Sequence, residues 1–188
     1  MAAAASSSRR KYWIFGVLFT LSLAADQLTK IWARQTLKPR HDSIVVINGF
    51  FDLVYSENPG AAFGLFRGIP GARWFLLAVG VGAMVVIFSL LRRSKGEGFR
   101  LPAELGLLAG GAVGNIVERV STGLVTDFVL WHYHDLQWPV FNIADAALVV
   151  GVIGLLFDLR SVEESSSKGE GDGKAAVTSR AGRSRGPA

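Results

Sequence analysis

Four apolar runs, at about residues 12–34, 72–91, 101–119 and 139–159, constrain this chain more than any other feature. Each is close to the ~20 residues that an α-helix needs to cross ~30 Å of hydrocarbon. Soluble domains do not repeat runs of that kind, so the chain reads as one helical membrane domain with four spans. Against this background the stretch Gly110–Asp145, GGAVGNIVERVSTGLVTDFVLWHYHDLQWPVFNIAD, is anomalous. It places Asn115, Glu118, Arg119, Asp127, Asn142 and Asp145 in or beside apolar segments. An ionisable group at membrane depth costs about 2.5–3.5 kcal/mol on insertion scales, which makes such residues functional candidates by default.

Composition narrows the chemistry. The chain has no cysteine, which excludes disulfides, thiolate nucleophiles and cysteine metal sites. The formal net charge of +5 would suit a nucleic-acid binder. The basic residues, however, sit beside the apolar runs and in the C-terminal tail, where they act as topology signals. Nucleic acid is therefore not an expected partner.

Residues 1–11, MAAAASSSRRK, form a basic segment ahead of the first run. Together the two have the layout of a signal peptide, but the three later runs favour an uncleaved first span. Residues 36–71 change character: IVVINGFFDLVYSENPGAAFGLF is β-branched and aromatic, with Gly and Asn-Pro-Gly punctuation. Two or three short surface strands are expected there, followed by a loop that dips toward the site. In the third run Gly106, Gly110 and Gly114 recur every fourth residue, a spacing that lets helix backbones approach closely in lipid. Residues 120–138 read as a second loop, with Trp131, Tyr133 and Trp138 at the interface. The tail 161–188 is rich in Ser, Gly, Lys and Arg and is expected to be disordered. The basic N-terminus, the basic 92–100 loop and the basic tail place both termini in the cytoplasm and both larger loops outside.

Two aspartates are the candidates for chemistry. Asp145 opens the fourth run, three residues after Asn142 and on the same helix face. Asp127 lies in the loop joining spans three and four, so the two can meet. Neighbouring carboxylates in low dielectric do not both ionise cheaply. One keeps a proton while the other stays ionised, the division of labour of an aspartic protease. The plainer reading makes Asp145 a helix-end carboxylate paired with Arg119. Arg119, four residues after Asn115, either holds a carboxylate, phosphate or carbonyl, or anchors the helix end at the headgroups. Asn115 needs partners in an apolar segment. Asp26 and Lys30, at i and i+4, read as an ion pair stabilising the end of span one. His132 and His134 alternate without a flanking ligand pattern, so no metal site is expected. On these residues alone a protease and a small proton- or cation-coupled transporter fit about equally, although no internal repeat of the transporter kind is visible. A purely structural subunit leaves the polar concentration unexplained.

The blocks DQLTK (Asp26–Lys30), NPGAAFG (Asn58–Gly64), GGAVGNIVERVSTGLVTDF (Gly110–Phe128) and FNIAD (Phe141–Asp145) resemble the prolipoprotein signal peptidases, signal peptidase II, in order and spacing. The resemblance covers roughly residues 12–160. It implies an all-α four-helix transmembrane bundle with a small external β-cradle, in a bacterial inner membrane, with cytoplasmic termini and a site near the outer leaflet. It also implies an aspartic endopeptidase that removes signal peptides from diacylglyceryl-modified prolipoproteins, cutting just before the lipidated cysteine. The implied partners are those precursors and membrane lipids, with a monomeric enzyme, no cofactor, and the antibiotic globomycin as an inhibitor. The family's catalytic pair maps onto Asp127 and Asp145. Its site-supporting positions map onto Asp26, Lys30, Asn58, Gly111, Asn115, Arg119 and Asn142. Pro59 and Glu118 depart from the family's usual residues, and the tail is additional.

Overall fold

The computed structural model describes residues 2–40, 42–60, 65–66, 68–94 and 98–158, with side chains from residue 9 onward. The expected disordered tail and the centre of the NPGAAFG block, 61–64, lie outside the described residues. The chain runs α1 (Ala2–Thr36), β1 (Ile44–Ile47), β2 (Phe51–Asn58), α2 (Ala72–Arg93), α3 (Arg100–Ser121), β3 (Val125–Tyr133), β4 (Leu136–Gln137) and a fourth helix, α4, over 143–158. Among the described residues, four helices thus carry a small antiparallel sheet in the order β1-β2-β3-β4.

Two helices, over Arg9–Thr36 and Ala72–Arg93, are long and apolar enough among the described residues to cross a membrane. Their outer faces expose large apolar side chains, including Trp13 and Leu28 on α1 and Phe75, Val85 and Phe88 on α2. In water such faces would be buried against a core; here they point outward. Helix α3 is different. It buries most of its length and forms the centre of a cluster in which Leu105, Leu108 and Ala109 meet Phe15, Phe19, Ile87, Leu91 and Leu148.

The small residues of α3 explain how its neighbours come so close. A Cβ added at Gly110 would lie 2.8 Å from the Phe19 carbonyl of α1, and one at Gly114 would collide with the Asp26 carboxylate. On the other side of the helix, a Cβ at Gly111 would lie 2.5 Å from the Ala144 carbonyl of α4. Two faces of one helix thus admit two partner backbones, as small residues do in lipid-phase packing.

The 120–138 segment corrects the sequence expectation. It is not a loop: VTDFVLWHY forms β3, which sits in the middle of the sheet. Its β-branched and aromatic residues suit a strand. Paired with β2 from Phe51↔Trp131 to Asn58↔Val125, it buries Val125–Val129. The fourth helix begins at 143 rather than 139, because Phe141 is held extended by bridging to Val129. Phe128, Val129, Ala33 and Leu37 then form a second core, which ties the end of α1 to the sheet.

Candidate active site

Strand pairing and helix capping bring the two aspartates together. Phe141 accepts from Phe128 N (3.0 Å) and Val129 N (2.9 Å) and donates to Val129 O (3.1 Å). This fastens the chain just before α4 to the strand just after Asp127. Asn142 then caps α4: its Oδ1 accepts from Asp145 N at 3.0 Å, and Asp145 Oδ2 accepts from Asn142 N at 3.3 Å. This reciprocal arrangement has the logic of a capping box. It holds the Asp145 carboxylate in the first turn of the helix.

Asn142 also joins the two carboxylates. Its Nδ2 donates to Asp127 Oδ1 at 2.7 Å and makes a longer contact, 3.3 Å, with Asn115 Oδ1. Asn115 Nδ2 in turn donates to Asp145 Oδ1 at 2.8 Å, and Asn58 Nδ2 donates to Asp127 Oδ2 at 3.0 Å. Each aspartate therefore accepts from two amide groups. Asp127, Asp145, Asn58, Asn115 and Arg119 line one groove of about 500 Å³ whose other walls are Trp131, Trp138, Phe141 and Leu148. That is a few convergent polar groups in an apolar cleft, the usual composition of a ligand site.

Asp127 is only 2 % exposed. Burial, and then the neighbouring Asp145, push its carboxyl up to about 7, against the opposing pull of Asn58, Asn142 and Lys30. A carboxyl raised that far in a cleft is the signature expected of an acid–base group. The Arg119 guanidinium is within electrostatic reach of both aspartates, but its Nη2 donates to Gly60 O at 3.0 Å. Gly60 N donates to Asn58 Oδ1 at 2.9 Å, so this turn is fastened at both ends to the site.

Among the other candidates, Asp26 and Lys30 pair at 2.9 Å with both side chains wholly buried. Their role is wider than the expected helix-end ion pair, since Lys30 Nζ also donates to Asn115 Oδ1 at 2.9 Å and Asp26 Oδ1 accepts from Ala144 N at 2.9 Å. Gly111 lies in contact with α4 rather than at the groove. His132 Nε2 lies 3.3 Å from Asp52 Oδ2 on the sheet. Among the described residues no group of three or more His, Cys, Asp or Glu could hold a metal ion. Sequence reasoning missed Arg34 and Thr126, and gave Glu118 no role beyond naming it among the polar residues of 110–145 and as a family departure. The three are hydrogen-bonded to one another beside Asp127. One signal pointed there: Asp26, Lys30 and Arg34 recur every fourth residue and mark one polar face of α1.

The family described as Signal peptidase (SPase) II matches residues 18–160. The chain belongs to the signal peptidase II family. It is 44% identical over 141 residues to a lipoprotein signal peptidase of Symbiobacterium thermophilum, covering 75% of this chain and 90% of that protein. A lipoprotein signal peptidase of Geobacter metallireducens is 39% identical over 159 residues, or 84% and 96% of the two chains. A bacterial membrane enzyme solved by the in meso method at 2.3 Å superimposes with a TM-score of 0.70 at 29% identity, covering 81% and 89%. The matched region contains every side chain of the groove and of the buried network behind it.

Proposed function

We propose that this chain is an intramembrane aspartic endopeptidase that removes signal peptides from diacylglyceryl-modified prolipoproteins, cutting just before the lipidated cysteine. Membership of the signal peptidase II family supports the substrate class. The observation that carries the chemical reading is the bridging of Asp127 and Asp145 through Asn142 at the floor of one apolar groove. The pair titrates as a unit and shares one proton near neutrality. The ionised carboxylate takes a proton from a water molecule as its oxygen adds to the scissile carbonyl carbon. The protonated partner polarises the carbonyl oxygen. Collapse of the tetrahedral intermediate breaks the C–N bond, and a dyad proton passes to the departing amine. Asn58, Asn115 and Asn142 hold the carboxylates in place, and Arg119 offsets the negative charge of the dyad.

The setting proposed is a bacterial inner membrane, spanned four times by one domain over 12–160, with both termini cytoplasmic. The sheet, the end of α1, the end of α3 and the start of α4 gather at one end of the helices. With a cytoplasmic N-terminus that end faces outward, where a substrate anchored by two acyl chains meets it without leaving the bilayer. The apolar walls of the groove suit that substrate, and globomycin is expected to compete for the same space.

The test is cleavage of a diacylglyceryl-modified precursor by the purified full chain in detergent, beside Asp127→Asn and Asp145→Asn. Cleavage by wild type and loss in both folded variants supports the dyad. Cleavage that survives in either variant removes that residue from the mechanism. A folded wild type that never cleaves returns the carboxylates to a relay role in transport.

A further inference from the structure

Behind the dyad lies a second, closed set of charged groups. Lys30 Nζ has three acceptors: Asp26 Oδ2 at 2.9 Å, Glu118 Oε2 at 3.1 Å and Asn115 Oδ1 at 2.9 Å. An ammonium has three donors, so this buried cation is fully satisfied. Arg34 pairs with the other Glu118 oxygen, so two cations balance two carboxylates.

What the two carboxylates do with their remaining capacity is alike. Asp26 Oδ1 accepts from Ala144 N at 2.9 Å, the amide immediately before Asp145. Glu118 Oε2 accepts from Thr126 N at 2.9 Å, the amide immediately before Asp127, and Glu118 Oε1 accepts from Thr126 Oγ1 at 2.8 Å. Gln27 steadies Asp26 by donating to Oδ2 at 2.9 Å and to Gly114 O at 3.2 Å. None of Asp26, Lys30, Glu118 or Thr126 lines the groove.

We propose that Asp26, Lys30 and Glu118 form one spacing gauge: each carboxylate clamps the backbone amide ahead of one dyad aspartate, and the shared ammonium fixes the distance between the clamps. Glu118 and Thr126 are thereby positioning residues for Asp127. The inference rests on the dyad reading above. A buried ion pair contributes little net stability compared with apolar packing of the same volume. Geometry supplies the reason for this one: charge-assisted bonds to backbone amides are short and directional, and proton transfer within a shared-proton pair is sensitive to displacement.

The experiment uses the purified full chain in detergent and a diacylglyceryl-modified precursor, with kcat, KM and thermal unfolding measured for Glu118→Gln, Asp26→Asn and the double variant. Folded Glu118→Gln is expected to show kcat about 100-fold lower with KM within about twofold of wild type. The double variant is expected to fall no further than the worse single one, because either change releases the same gauge. Wild-type kcat in Glu118→Gln, a loss confined to KM, or multiplicative losses in the double variant would each overturn the proposal. If Glu118→Gln does not fold, Asp26→Asn decides, since it alters the carboxylate that holds the Ala144 amide and leaves the groove lining unchanged. A folded Asp26→Asn with kcat lowered at unchanged KM supports the gauge, and an unchanged kcat refutes it. A folded wild type without cleavage removes the dyad reading itself, a different result from active wild type with an active Glu118→Gln.

Discussion

Among the described residues two largely buried polar clusters lie within hydrogen-bonding reach of one another, and they are built on opposite plans. In the Asp26–Lys30–Glu118–Arg34 cluster charges cancel and the Lys30 donors are all used. At Asp127 and Asp145 two carboxylates face one groove, held by neutral amides of Asn58, Asn115 and Asn142. Neutral donors orient an anion without cancelling it. The closed cluster thus spends its charges on one another, whereas in the open one burial and the neighbouring carboxylate carry Asp127 up to about 7. The difference teaches where to look for chemistry in an apolar fold: at the polar group its surroundings leave incompletely compensated.

That comparison is broken most directly at the open cluster. Asp127→Asn or Asp145→Asn is expected to lower cleavage on the order of 10⁴-fold or more, with thermal unfolding near that of wild type. A large loss of fold in these variants would assign the dyad to structure instead. The closed cluster should respond the other way round. Lys30→Met leaves two buried carboxylates short of a partner and is expected to destabilise the fold by about 3–5 kcal/mol. Denaturation in detergent reads this out, and an unfolding curve matching wild type would show that water replaces the ammonium.

A packing change tests whether the clusters depend on helix approach. Gly111→Ala places a methyl against the Ala144 carbonyl, and overpacking of this kind costs about 1–3 kcal/mol. It should also depress cleavage, since Ala144 precedes Asp145; stability lost without activity lost would uncouple the two. The smallest effect is on pH dependence. In the proposed mechanism the pair works with one proton, so kcat should fall as pH rises through about 7, where Asp127 releases it. The charged groups bearing on Asp127 are Asp145 from α4, Lys30 from α1 and Arg119 from α3. Asn58 favours the ionised form by donating to Asp127, so Asn58→Ala should move the alkaline limb to higher pH. A limb that moves down, or stays, would remove Asn58 from the electrostatics of the pair.

The apolar runs, the glycine spacing of α3 and the candidate aspartates were legible in the chain itself. Each is a local pattern: run length sets helix length, and every fourth residue returns to one helix face. The reading of 120–138 as a loop failed because a strand in a small sheet is stabilised by its partner. Asp127 is placed by β2, some 70 positions earlier in the chain, through pairs such as Ser56↔Asp127. The closed cluster was legible only in fragments. Asp26 and Lys30 could be paired by their spacing, but nothing local says that Asp26 reaches the amide of Ala144 or that Glu118 reaches that of Thr126. By itself the sequence determined which segments are apolar and helical and which few polar groups they carry, because hydropathy and helical periodicity are properties of neighbouring residues. Which carboxylate stays closed and paired, and which is left open to a groove, was decided only by the tertiary structure, because burial and hydrogen-bond partners come from segments far apart in the chain.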